Sequence, residues 1–391
     1  MPKNYFIIGA DVVPTSYNNQ LFTKPDVFEL VGDEIASILY NSKHNIFNLE
    51  VPLVDVATPI NKEGPNLIAA TATVNGYKAL RADALTMANN HILDQGIYGL
   101  ESTIATLEKN EISYIGAGRN IIEASNIYYF TIDGKRVGIY ACAEHEFSIA
   151  DQDSGGANPF DSLWSFDHVQ AAKQQCDYLI VLYHGGKEHY RYPSPDLQKI
   201  CKRFIDKGVN LVVCQHSHCI GCMEEYSSGT IIYGQGNFIF DNSNEDCWKT
   251  GLLLKIDSQF SISYIPVVKH DHVVRISDDS EYNSIMNQFW ERSKEIRNPS
   301  FVIDRYTEFA EGQIDGYLTA LRGKETLVFR VLNKVLMGIP RKAVIKMRFK
   351  QSNTLALENY IACEAHRELL LQGLRNRNGT AQLRKRLEEQ L

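Results

Sequence analysis

No stretch of this 391-residue chain is apolar for long. The first apolar run, Tyr5–Ile8, gives way at Asp11. A secretory signal core takes roughly 7–15 apolar residues and a membrane-spanning helix about 20, and neither length occurs. The expectation is a cytoplasmic protein, at most peripheral to a membrane. Cysteine is present without pattern. Eight residues, at 142, 176, 201, 214, 219, 222, 247 and 363, form no repeating framework, which argues against a disulfide scaffold and for reduced, mostly buried thiols. Cys219 and Cys222 make a Cys-x-x-Cys, but no second pair follows at zinc-finger spacing. Internal repeats and low-complexity segments are lacking too. Gly116-Ala117-Gly118 lacks the third glycine of a dinucleotide-binding turn.

What is there is ordinary for a folded protein: 44% hydrophobic and 22% charged residues, enough for one large domain with an appendage or two modest domains. The charge is unevenly spread. Residues 329–391 carry thirteen Lys and Arg against five Asp and Glu, a net of +8, so the overall charge of -7 leaves -15 on the rest. A basic segment on an acidic body either meets something anionic (a membrane surface, a polymer, an acidic partner enzyme) or packs on the body of its own chain. The acidic body excludes nucleic acid as the main partner.

Apolar runs alternate with helical patterns through about residue 270, which predicts an α/β architecture. The runs include Tyr5–Ile8, Ile46–Leu49, Ala84–Ala88, Tyr128–Ile132, Val137–Ala141, Tyr178–Tyr183, Leu211–Cys214, Ile231–Tyr233 and Leu252–Ile256; Gly99–Asn110 and Pro195–Lys207 have helical periodicity. Beyond about residue 275 strands thin out. Asn283–Ile296 and Leu355–Asn376 read as helices, the latter with Leu357, Ile361, Ala365 and Leu369 in one stripe. Ala343–Lys350 alternates apolar and basic residues and reads as an exposed strand or a basic helix. The division expected is 1–275 as the main domain and 276–391 as a mostly helical, basic C-terminal region.

Potential ligands fall at the ends of the predicted strands. Asp11 follows Tyr5–Ile8, Glu50 ends Ile46–Leu49, and Asn89, Asn90 and His91 follow Ala84–Ala88. His184 ends Tyr178–Tyr183, and His216 and His218 follow Leu211–Cys214. In open α/β sheets ligands bind beyond the carboxyl ends of strands. One Asp there is usually a turn former and one His a structural residue. The set in this order places oxygen and imidazole donors where loops converge, which predicts a divalent metal site. The donor mixture suits Mn, Fe, Zn or Mg.

Gly9-Ala10-Asp11, Asn48-Leu49-Glu50-Val51-Pro52, Asn89-Asn90-His91 with Asp94 and Gly96, Tyr114–Arg119, His184–Tyr190, Gln215–His218 and Tyr233–Phe238 together resemble the ordered motifs of the CapA family of capsule and poly-gamma-glutamate synthesis proteins. That family belongs to the calcineurin-like metallophosphoesterase superfamily. The resemblance covers about residues 4–270. It implies a sandwich of two mixed sheets flanked by helices, carboxylate ligands at Asp11 and Glu50 (Glu50 bridging), an amide ligand at Asn90, imidazole ligands at His184, His216 and His218, and His91 as proton donor to a leaving oxygen. Val13 stands where the superfamily usually has a further His, and Gln215 where a Gly usually precedes the His-x-His.

Around this set, Asp94 either orients His91 or caps the helix that follows. Glu188, with Lys187, His189, Tyr190 and Arg191, follows His184 closely enough to face the site, and Glu188 is the strongest of them as a catalytic group. Lys187 or Arg119 could pair with phosphate or carboxylate, and Asn237 steadies a turn. The resemblance implies a metal-dependent hydrolase acting on an anionic small molecule or polymer. The alternative is a non-catalytic assembly factor that docks a polymer-synthesis enzyme, or a membrane, through the basic C-terminal region.

Overall fold

The computed structural model describes residues 4–240, 245–322 and 327–378. The chain divides into two compact units, Met1–Ile303 and Asp304–Leu391. In the first unit the strands are β1 (Tyr5–Val12), β2 (Asn45–Leu49), β3 (Ala84–Thr86), β4 (Ser113–Ile115), β5 (Ala117–Gly118), β6 (Tyr128–Ile132), β7 (Lys135–Ala143), β8 (Gly156–Ala157), β9 (Tyr178–His184), β10 (Leu211–Gln215), β11 (Met223–Tyr226), β12 (Gly229–Ile232), β13 (Asn237–Ile239), β14 (Thr250–Asp257), β15 (Ile262–His270) and β16 (Val273–Ile276). Among the described residues one sheet runs β16-β15-β14-β1-β2-β3-β4 with β13 beside β1, and a second runs β11-β12-β10-β9-β7-β6. Both are mixed. β1 to β4 are parallel and β14 to β16 antiparallel. In the second sheet β7, β9, β10 and β12 are parallel, with antiparallel β6 and β11 at its edges.

The central strands β7, β9 and β10 of the second sheet are buried on both faces, which is why they read as nearly unbroken apolar runs. Alternate side chains separate into two clusters, as a period of two requires. Val137, Ile139, Ile180, Leu182, Leu211 and Val213 join Ile8, Phe47 and Leu254 of the first sheet in one core. Tyr140, Leu179, Val181, Tyr183 and Val212 instead pack with Val169 of the helix Ser165–Lys173 and with Leu197, Cys201 and Phe204 of the helix Pro195–Asp206. The helices Val27–Asn41 and Gly96–Lys109 send Ile35, Leu39, Leu100 and Ile104 into the first core. The result is helices, sheet, sheet, helices, the architecture that the resemblance implied. The cysteines are free, with Cys219 and Cys222 buried.

Three points of the C-terminal half bear on the expectations. The compact units part at Ile303 rather than near residue 275. The helix Asp279–Glu295, opened by an Asp278–Glu281 capping box, buries Met286 and Phe289 in the core of the first unit. Second, of the two readings open for Ala343–Lys350 the helix is the one found: the segment falls largely in Ile339–Arg348, with Pro340 in its first turn, where proline's missing N–H is no loss. Third, Leu355–Asn376 is two helices, Gln351–Ala362 and Glu364–Asn378, because Cys363 is extended (φ -76, ψ 119). The end of the basic segment, 379–391, lies outside the described residues.

Gly9 shows how tightly neighbouring strands of the first sheet pack beneath the site. A Cβ there would lie 2.3 Å from Cδ1 of Phe47, which is itself buried and stacked on Phe238. The substitution Gly9→Ala is expected to destabilise the protein by about 1–3 kcal/mol through overpacking, read as a lower urea midpoint with unchanged m-value. A midpoint equal to that of the parent chain would show that the ring has room to move.

Candidate metal centre

Parallel strands in register carry the polar side chains to one level. Asn237, Asp11, Asn48 and Thr86 are neighbours across β13, β1, β2 and β3. In the facing sheet His184 ends β9 opposite Gln215 of β10. The two rows meet at the carboxyl ends of β1, β2, β3, β9 and β10, with Asn237 at the start of β13, and the residues just beyond, Glu50, Asn90, His91, His216 and His218, close the space between them.

Asn48 ties the carboxylate end together. Its Nδ2 donates to Asp11 Oδ1 at 2.7 Å and lies 3.4 Å from His184 Nδ1. Its Oδ1 accepts from Thr86 Oγ1 and from Asn89 Nδ2, both at 3.1 Å. An amide with all of its capacity used is rigidly placed. His184 Nε2 lies 3.1 Å from Asn90 Oδ1, 3.1 Å from His216 Nδ1 and 3.3 Å from Glu50 Oε1. One ligand atom each from Glu50, His216 and His218 falls within a 4.8 Å cluster. His218 Nδ1 stands 2.9 Å from Asn237 Oδ1 and 3.6 Å from Asp11 Oδ2.

The donor set fits a divalent cation. Asp11 and Glu50 are fully buried, yet Asp11 Oδ2 and both oxygens of Glu50 have no aligned hydrogen-bond donor. Buried carboxylate oxygens left this way are costly unless a cation pairs them. His216 and His218 also have positive φ, 83° and 55°, a conformation uncommon for residues other than glycine. The tight turn brings two imidazoles separated by one residue into the same space.

Beside this cluster His91 Nδ1 donates to Asp94 Oδ2 at 2.6 Å, while Lys62 pairs with the other oxygen of Asp94. The helix Gly96–Lys109 has Gln95 rather than Asp94 at its cap, so Asp94 orients His91 instead of capping. Glu188 sits at the mouth, its side chain 45% exposed and Oε1 4.0 Å from His216 Nε2. His189 accepts from Trp248 Nε1 at 3.0 Å, and Arg191 donates to the Ile220 carbonyl. Tyr190 is buried. Arg119 pairs with Glu108 and Glu123 on the surface. Val13 is part of the hydrophobic core and supplies no ligand.

Four further residues shape the site. Asn48 carried a signal, since it shares a strand face with the position of Glu50. Lys62, Glu146, which accepts from Asn90 Nδ2 at 3.2 Å, and Trp248, stacked on His218 at 4.4 Å, come from loops and a short turn without pattern.

The chain matches the family model described as bacterial capsule synthesis protein PGA_cap over residues 7–242. Capsule biosynthesis protein CapA of Bacillus anthracis is 31% identical over 222 residues, 54% of each chain. PGA biosynthesis protein CapA of Bacillus subtilis (strain 168) is 26% identical over 172 residues, 43% of this chain and 45% of that one. The chain thus spans about half the length of the curated relatives it matches. Among solved structures, a phosphatase from Mycoplasma pneumoniae aligns at 14% identity with a TM-score of 0.40, covering 71% of this chain and 96% of that one.

Burial opposes charge on His218, but the neighbouring carboxylates of Glu50 and Asp11 outweigh it and hold the imidazole up at about 9, against an ordinary 6.5. His184 is raised for the same reason, again against burial. His216, buried and facing those two, is pushed well below its ordinary value. A folded-state value above the unfolded one gives stability that is complete below about pH 6.5 and is lost as the pH rises through 9. Metal-free protein is therefore expected to melt at progressively lower temperature between pH 6.5 and 9, and His218→Asn is expected to flatten that slope. His216 acts below this window. Differential scanning calorimetry in chelator checks it: a Tm level across the window, or an unchanged slope in the variant, contradicts the assignment.

Proposed function

Because the chain belongs to the bacterial capsule synthesis protein family PGA_cap, we propose that it is a metal-dependent hydrolase serving the synthesis of a capsule or poly-gamma-glutamate type of cell-surface polymer. The observation that supports hydrolysis is the set of three buried carboxylate oxygens on Asp11 and Glu50 without hydrogen-bond donors, faced by the imidazoles of His184, His216 and His218. Asp11, Glu50, Asn90, His184, His216 and His218 would hold one or two divalent ions. A cation bound there supplies Lewis-acid polarisation of a substrate oxygen.

The chain's own groups have separable tasks. Asp94 engages Nδ1 of His91, which leaves Nε2 as the ring atom able to carry a proton to a leaving oxygen. Lys62 holds Asp94 from the other side. Glu146 takes the Asn90 amide nitrogen, so that Oδ1 is the atom turned to the ligand cluster. Glu188, at the mouth, can orient an incoming group. The substrate class that suits a cation-loaded centre is an anionic ester or amide, such as a phosphoester or a polymer end. The second reading, an assembly factor, is favoured by the run of Lys and Arg after residue 327 and does not need His91 and Asn90 side by side.

Purified protein is expected to contain Mn, Fe, Zn or Mg by elemental analysis and to hydrolyse bis(p-nitrophenyl) phosphate with added Mn. The double variant His216→Ala and His218→Ala should lose both metal and activity. His91→Gln should retain metal but lower kcat by about 10²–10⁴-fold. Hydrolysis that is indifferent to the double variant, in protein free of metal, would leave only the assembly reading.

A further inference from the structure

The helix Leu327–Val335 has Val328, Val331, Leu332 and Val335 at the i, i+3, i+4, i+7 spacing of one helical face. A stripe of this kind ordinarily faces a core. Here all four side chains are exposed, and the stripe continues through the exposed Leu336, Met337 and Ile339 to its most open point, Met337 at 88%. The other side of the helix is tied down. Asn333 is buried, and its Oδ1 accepts from the backbone N–H of Arg341 at 3.0 Å. Gly338, at φ 84°, turns the chain into the helix Ile339–Arg348. The two helices form a hairpin with its apolar edge outward. Residues 327–350 hold seven Lys and Arg, among them Arg330, Lys334, Lys342 and Lys346, and no Asp or Glu.

We infer that this hairpin, residues 327–348, docks on an anionic lipid surface and lies in its plane, with the aliphatic stripe in the boundary between headgroups and acyl chains and the cations among the lipid phosphates. Charge complementarity selects the partner: an uninterrupted basic segment beside an apolar stripe answers a surface that is negative outside and apolar within. The composition favours lipid over protein. The segment holds four lysines, Lys334, Lys342, Lys346 and Lys350, and Lys is depleted at protein interfaces. No helix among the described residues is long and apolar enough to cross a membrane, so contact in the plane is the geometry left to this hairpin. The inference does not depend on the hydrolase reading.

Full-length protein is tested by co-sedimentation with vesicles of phosphatidylcholine alone and with vesicles in which about a third of the lipid is phosphatidylglycerol. Binding is expected to the second kind and not the first, and to weaken as salt screens the phosphates. The double variant Val331→Asp and Val335→Asp changes exposed residues and is expected to keep its circular dichroism spectrum. It should bind the anionic vesicles on the order of tenfold more weakly or worse, because two side chains no longer leave water. Three outcomes overturn the inference. One is no sedimentation with either vesicle. Another is anionic binding that the double variant leaves intact, which marks diffuse charge attraction. The third is a homodimer in gel filtration that the variant dissolves without vesicle binding by the parent, which makes a second copy the occupant.

Discussion

Two carboxylates removed from the surface and without full hydrogen bonding set the terms for the rest of this fold. Asp11 and Glu50 lie at the ends of adjacent parallel strands, both completely buried. An unpaired buried charge is too costly for a domain of ordinary stability to carry in isolation. The surrounding structure is arranged to answer it. Asn48 donates to one oxygen of Asp11, and His218 and His184 approach the remaining oxygens at 3.6 and 3.3 Å. Asp11 is held below the usual carboxylate range although burial pushes it up, because His218 and His184 pull it down. In metal-free protein the histidines thus act as substitute cations. The same atoms would serve as ligands once protons leave them, so a proton and a metal would compete for one site.

The sheets make this possible by delivering side chains in register. A one-residue slip in β2 would move Asn48 to the opposite face and remove the amide that links Asp11, His184, Thr86 and Asn89. The left-handed backbone of His216 and His218 is a further local expense, of order 1–3 kcal/mol for a strained residue, met by the packed layers on either side. Trp248 then covers His218, with Phe240 against its edge, and shields this end of the cluster from solvent.

Much of this was legible because strands and their ends leave marks in sequence. Strands covered on both faces read as apolar runs, and Glu50, His184 and His216 stand out as the polar residues that stop them. The alternation of side chains in β7, β9 and β10 between two cores follows from period two alone. What stayed hidden lies in segments without period. Lys62 reaches Asp94 from a loop, and Glu146 reaches Asn90 from another; a loop's path is fixed by tertiary contacts and not by local pattern. The boundary near 275 failed for a related reason. An amphipathic helix such as Asp279–Glu295 shows that it has an apolar face but not which body receives it. The break at Cys363 has no glycine or proline to announce it, and the choice left open over Ala343–Lys350 goes to the helix that carries Pro340 in its first turn.

Charge at two distances bears on how an acidic body would serve the anionic substrate proposed for it. Residues 1–328 sum to -15, but exposed charges are screened within about 8 Å at physiological ionic strength, so most of that total is not felt inside the sandwich. Buried groups are screened much less, and the local set decides. Asp11 and Glu50 stand against imidazoles that are themselves competing for protons, which leaves no clear surplus of positive charge for an incoming phosphate or carboxylate. A divalent ion changes the sign of that local sum where the substrate oxygen would lie. Lys62 does not do so, because it is already committed to Asp94. On the proposed reading, cation loading would precede substrate binding at this centre, and the acidity of the outer surface would bear on the rate of encounter more than on the fit.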